Sequence, residues 1–135
     1  MDPVRTIKSV YEAFGRGDMA SLLAMLADDI QWWPAENHPY APEGKPWIGR
    51  EKLAEEFFKK IGMEWLSFGC SPVTFHDAGK TVVVEGRYFG VHRSGKKLDA
   101  QFCHVWTLSE GRVAAFHQYT DTAQLKQVMT GLTRP

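Results

Sequence analysis

An excess of charge of either sign is missing from this chain: sixteen Lys and Arg stand against sixteen Asp and Glu, a formal net charge of zero. Nucleic acids and anionic membranes recruit proteins through basic surfaces, so neither is expected as a partner. Long apolar runs are missing too, and none approaches the ~18 residues of a membrane span. Cysteine is scarce. Cys70 and Cys103 lie far apart without C-x-x-C spacing and are expected to be free thiols. Residues Met1 to Arg5 show no basic region followed by an apolar stretch, so no signal peptide is expected and the chain reads as cytoplasmic.

Recognisable catalytic motifs are also lacking. There is no Walker loop, G-x-S-x-G elbow or H-E-x-x-H, and the five histidines have no metal-ligand spacing, so neither metal nor cofactor is expected. Gly15-x-Gly17-x-x-Ala20 matches a dinucleotide fingerprint on paper. It follows a helix rather than a strand, which makes it a helix-to-helix turn. Repeats, linkers and low-complexity segments are absent, and residues 1–135 read as one domain.

What the chain has in quantity is aromatic side chains: five Trp, four Tyr and eight Phe. Val4, Ile7, Val10, Tyr11 and Phe14 recur at helical spacing after Pro3, and Leu22, Leu23 and Leu26 mark a second, short helix capped by Asp18. Ile30 to Trp33 read as a brief strand. From Pro34 to Trp47 a loop holds four of the seven prolines, and loops of that length in compact domains are often functional. Leu53, Phe57, Phe58 and Ile61 mark a third helix ending at Gly62. The second half reads as four long strands: Trp65 to Phe75, Thr81 to His92, Leu98 to Leu108 and Arg112 to Tyr119. A last helix, capped by Asp121, runs from about Thr122 to Thr130. Helices first and an antiparallel sheet second indicate an α+β domain.

Strand alternation predicts what shares a face. A two-residue loop at Ser94-Gly95 sets Glu85 opposite His104 and Arg87 opposite Phe102. A three-residue loop at Ser109 to Gly111 sets His104 opposite Phe116 and Phe102 opposite Gln118. One inward face then collects Glu85, Arg87, Phe89, Phe102, His104, Trp106, Phe116 and Gln118. Polar groups converging among aromatic rings suggest a small-molecule pocket, with Trp32, Trp33, His38, Tyr40 and Trp47 as its roof and Phe14 and Phe57 as further wall. A slip of one residue in either turn would flip a strand and break this set. The opposite face, with Cys103, Val105, Thr107, Val113, Ala115, His117 and Tyr119, is semi-apolar and suggests a homodimer through packed sheets.

Three stretches resemble the NTF2-like superfamily: Val10-Tyr11-Glu12-Ala13-Phe14-Gly15-Arg16-Gly17-Asp18, Leu26-Ala27-Asp28-Asp29-Ile30 and Trp47-Ile48-Gly49-Arg50-Glu51. His104 to Val113 and Tyr119-Thr120-Asp121-Thr122 look most like its SnoaL-like, ketosteroid-isomerase-related members. The resemblance implies a cone-shaped, curved antiparallel sheet with N-terminal helices covering one face, usually dimeric, with a pocket between. Known site patterns carry over only in part. The steroid-isomerase tyrosine falls at Val10, its general-base Asp near Pro34 and its protonated Asp at His104. The cyclase His falls at His104, but its Asp position holds Gln118. The epoxide-hydrolase Arg and Asp fall at Glu85 and Arg87 in reversed order, and its Tyr and Asn at Ile30 and Trp32.

These readings together predict a cofactor-independent small-molecule enzyme acting on a mostly apolar substrate, of isomerase, cyclase or hydrolase type. His104 helped by Glu85 is expected as acid/base, with Arg87 and Gln118 steadying an oxyanion. The alternative is a non-catalytic binding protein for a hydrophobic ligand.

Overall fold

In the computed structural model, which describes residues 2–130, the chain begins with α1 (Pro3–Gly15). Asp2 caps it, its carboxylate accepting from the Val4 amide at 3.0 Å, and Pro3 fills a first-turn position that needs no N–H donor. Gly17 turns the chain at φ +72°, and Asp18 caps α2 (Met19–Ala24). Strand β1 (Leu26–Trp33) follows, then the proline-rich loop and the two-residue β2 (Trp47–Ile48). The third helical region runs through α3 (Arg50–Leu53), a π turn over Ala54–Phe58 and α4 (Lys59–Glu64). The wide turn falls on Phe57 and Phe58, and both rings end up buried.

Four long strands come next: β3 (Trp65–Ala78), β4 (Thr81–His92), β5 (Lys97–Ser109) and β6 (Arg112–Thr120). Helix α5 (Thr122–Met129) closes the described chain, with Asp121 accepting from the Gln124 amide at 3.0 Å. The α+β class is as expected, and the six strands form one curved sheet in the order β2-β1-β6-β5-β4-β3. Not all of it is antiparallel: β1 runs parallel to β6. The core lies between the helices and the inner face of the sheet, and Ile7, Val10 and Ala13 of α1 belong to the same buried cluster as Val82, Val84 and Phe102. No helix among the described residues is long and apolar enough to cross a membrane, and both cysteines are free.

The two hairpin loops exchange the lengths expected of them. Between β4 and β5 the loop is Arg93-Ser94-Gly95: the His92 amide donates to the Lys96 carbonyl at 2.9 Å, and Gly95 sits at φ +89°, the left-handed position such loops require. Every residue of β4 is therefore shifted by one against β5. Val84, not Glu85, pairs with His104, and Gly86, not Arg87, pairs with Phe102. Between β5 and β6 the loop is only Glu110-Gly111, both at positive φ (53° and 81°). A one-residue irregularity next to that turn, between Thr107 and Leu108, restores the parity, so His104 pairs with Gln118 and Trp106 with Phe116.

Candidate functional site

The register change sorts the expected inward set into two groups. Phe102, His104, Trp106, Phe116 and Gln118 face the core and are buried. Glu85, Arg87 and Phe89 do not, which corrects their expected placement. Their strand is flipped, and they stand on the outer face. There Glu85 pairs with His76 at 2.6 Å, Arg87 pairs with Asp99 at 2.8 Å, and Phe89 is 51% exposed. The cost of burying lone charges was the available signal: Glu85 and Arg87 alternate with Gly86 and Tyr88, and the ionic parity belongs in water. Val113, expected outside, is fully buried because the bulge next to it shifts the strand.

The same shift turns Tyr88 inward, where sequence reasoning had not placed it. Its hydroxyl lies 2.5 Å from Nε2 of His104. On the other side of the imidazole the hydroxyl of Tyr11, from α1, lies 2.6 Å from Nδ1. Helical spacing was the signal for Tyr11, which stands one turn from Ile7 and three residues before Phe14 on the apolar side of α1. Trp106 donates its indole N–H to the Tyr11 oxygen at 3.0 Å, and Gln118 donates its amide to the Tyr88 oxygen at 2.9 Å. The Gln118 carbonyl accepts from the Ala35 amide at 3.1 Å, tying the start of the proline-rich loop to the cluster. Among the described residues no buried side-chain nitrogen or oxygen lacks a partner.

His104 is 2% exposed, and the Phe102 ring stacks on it at 3.9 Å and 8°. Burial holds its pKa well below the ordinary 6.5, so the imidazole is neutral. Burial also raises the Tyr11 and Tyr88 phenols, which keep their protons. The cluster is thus a chain of neutral hydrogen-bonding groups set in rings.

In front of it lies a narrow cavity of ≈ 60 Å³ between helices and sheet, enough for waters or a thin ligand. Of the residues expected to contact substrate, Phe14, Trp32, Tyr40, Phe57, Trp106 and Phe116 line it. Phe102 lies behind His104, and Trp47 packs on Phe57 at 5.0 Å without reaching the cavity. Trp33 is 37% exposed and stacks on His117 on the opposite face, so it is not part of the roof. His38 does line the cavity. Its Nδ1 accepts from the Tyr40 amide at 3.0 Å, which leaves the proton on Nε2, and burial lowers its pKa to about 4. Cys70 adds a thiol to the wall, pushed up to about 12 by burial. Among the described residues, no Asp or Glu side chain lines this cavity.

Residues 7–116 match the family model described as a SnoaL-like domain. Among solved structures, an NTF2-like protein from Burkholderia thailandensis is 29% identical, with a TM-score of 0.88 over 100% of this chain and 99% of that one. An NTF2-like protein of unknown function from Burkholderia pseudomallei is 27% identical, with a TM-score of 0.87 over 96% of this chain and 99% of that one. TerC, co-crystallised with polyporic acid, shares the fold at 21% identity, with a TM-score of 0.85 over 95% of this chain and 98% of that one. No curated protein matches the chain.

Proposed function

This chain belongs to the SnoaL-like domain family, and from the cavity it builds on that fold we propose that it binds a flat, mostly apolar carbonyl compound and activates the carbonyl by hydrogen bonding. A fold of this kind hosts unrelated chemistries, so function is decided by the site. The observation that carries it is the placement of two tyrosine hydroxyls, held by His104 from both sides, as a polar end to a ring-walled cavity. A phenol donor in a dry pocket stabilises the charge that grows on a carbonyl oxygen during enolisation, addition or ring closure. His104, neutral and saturated by two hydroxyls, serves by orienting them. Acid/base assistance from Glu85 or charge stabilisation by Arg87 is not part of this reading, since both stand on the outer face.

Acetophenone is a suitable probe. On binding, its carbonyl infrared band should move to lower frequency, and its methyl protons should exchange into D2O faster with the protein than without it. Tyr11→Phe and Tyr88→Phe should each weaken both effects. A carbonyl band that stays at its aqueous position on binding would remove the activation. That the described residues lining the cavity include no Asp or Glu favours a second reading, retention of such a ligand without turnover. That reading is established if the band shifts and proton exchange does not accelerate.

A further inference from the structure

The hydrogen bonds of the cluster can be counted, because two of its members have no choice of role. The indole of Trp106 can only donate, so Tyr11 accepts there. The Ala35 amide can only donate, which fixes the carbonyl end of Gln118 and makes its NH2 the donor to Tyr88. Each tyrosine oxygen has therefore used one lone pair and keeps one lone pair and one proton. Between them sits a neutral imidazole with one N–H and one bare nitrogen, and both nitrogens lie at hydrogen-bond distance from a hydroxyl. One tyrosine must donate its O–H in a hydrogen bond to the bare nitrogen, and the other must accept from the imidazole N–H.

The remainder is the same for either tautomer. The tyrosine that receives the N–H has filled both lone pairs and holds a free O–H. The tyrosine that donates to the ring keeps a free lone pair and has no O–H left to offer. Moving the imidazole proton from Nδ1 to Nε2 exchanges the two roles between Tyr11 and Tyr88 without charging any group. The low pKa of His104 and the raised ones of both phenols agree with a cluster that stays neutral.

Building on the cavity's reading as a ligand site, we infer that the cluster offers its ligand one hydroxyl donor and one oxygen lone pair, always on different tyrosines, and so selects compounds bearing one hydroxyl and one carbonyl over dicarbonyls. The ligand oxygens are interchangeable in this arrangement, because a reversed ligand is met by the other tautomer. A dicarbonyl has two acceptors for a single donor. Its second oxygen would be buried facing a lone pair, and an unpaired buried acceptor weakens binding by roughly 5- to 150-fold relative to a paired one.

Three compounds of one skeleton test this: acetophenone, 1,3-diacetylbenzene and 3-hydroxyacetophenone, titrated against the protein by NMR line broadening. The hydroxyketone should bind at least about tenfold more tightly than the diketone, and the diketone no more than about threefold more tightly than acetophenone. In Tyr11→Phe and in Tyr88→Phe the advantage of the hydroxyketone should shrink to within threefold, since either change removes one pole. With 15N-labelled histidine, His104 in the hydroxyketone complex should show one protonated and one bare nitrogen. A diketone that binds as tightly as the hydroxyketone, or an advantage that survives both substitutions, overturns the inference while leaving the ligand site in place. If none of the three compounds binds, the ligand-site reading falls first.

Discussion

The Tyr88 hydroxyl reaches Nε2 of His104 at 2.5 Å because Val84, rather than Glu85, is the residue paired with the histidine across β4 and β5. One extra residue in the Arg93 to Gly95 loop decides this. It places a phenol where a charged side chain would otherwise stand, and it makes the cavity's polar end neutral. The consequences can be checked.

If the parity of β4 is as described, the charges on it are peripheral to the cavity. Glu85→Gln and Arg87→Ala should leave the dissociation constant for acetophenone within twofold. Both side chains take part in exposed ion pairs, so unfolding free energies should change by less than about 1 kcal/mol. Loss of binding in either variant, read by the same NMR titration, would contradict the register.

Acid should weaken the protein from just below neutral pH. Burial lowers the pKa of His104 well below 6.5 and that of His38 to about 4. Below pH ~6.5 the unfolded chain therefore takes up protons that the folded chain refuses. Each imidazole contributes stability that is complete above that pH and is lost on acidification by about 1.4 kcal/mol per pH unit. For His38 the loss levels off near pH 4, and for His104 it continues lower. Asp18, whose pKa lies below its ordinary 3.8, acts in the same direction only at still lower pH. Burial lowers the pKa of His92 as well. Urea unfolding at pH 7, 6 and 5 gives the slope, and a flat profile over that window would sink the assignment of three buried neutral histidines.

Tyr88→Phe removes one oxygen and orphans two groups, the bare or protonated Nε2 of His104 and the amide of Gln118. The cost expected from unpaired buried partners is about 1–3 kcal/mol. The dependence on urea should keep its slope, because the fold and its buried surface are retained. A variant as stable as the parent would mean that water or the polypeptide repairs the gap.

Gly86 and Gly69 separate close backbone approach from a yielding contact. A Cβ on Gly86 would come 2.4 Å from the Ser71 carbonyl and 2.7 Å from the Phe102 ring, which is the ring stacked on His104. Gly86→Ala should destabilise by about 1–3 kcal/mol through overpacking and should disturb ligand binding as well. At Gly69 the nearest atoms belong to the exposed end of Phe89, which can swing away. Gly69→Ala should cost less than about 1 kcal/mol and leave binding unchanged. Thermal and urea unfolding of the two variants side by side would show equal losses if strand approach were not the cause.

Much of the fold was already legible along the chain. Pro3, Asp18 and Asp121 mark helix starts, and Ile7, Val10, Tyr11 and Phe14 mark a helix face, because first-turn proline, capping and helical periodicity act within four residues. Strand alternation likewise placed Phe102, His104 and Trp106 together, since side chains two apart on one strand share a face whatever the neighbouring strand does. Which face of β4 joins them is a different kind of question. It depends on whether Ser94-Gly95 closes with two residues or three, a choice made by the backbone geometry of the turn and by which parity is cheaper to bury. The parallel pairing of β1 with β6 and the bulge beside the second turn were equally hidden, because each needs contacts between residues ~80 apart or a pairing irregularity that no local pattern encodes. The sequence by itself determined the helices, the four long strands, their order and an aromatic inner face around His104, but not β2, nor the start of β1 at Leu26, which helical spacing assigns to the second helix. Only the tertiary structure decided that Tyr11 and Tyr88, rather than Glu85 and Arg87, hold that histidine, because register and burial are settled between strands and not within them.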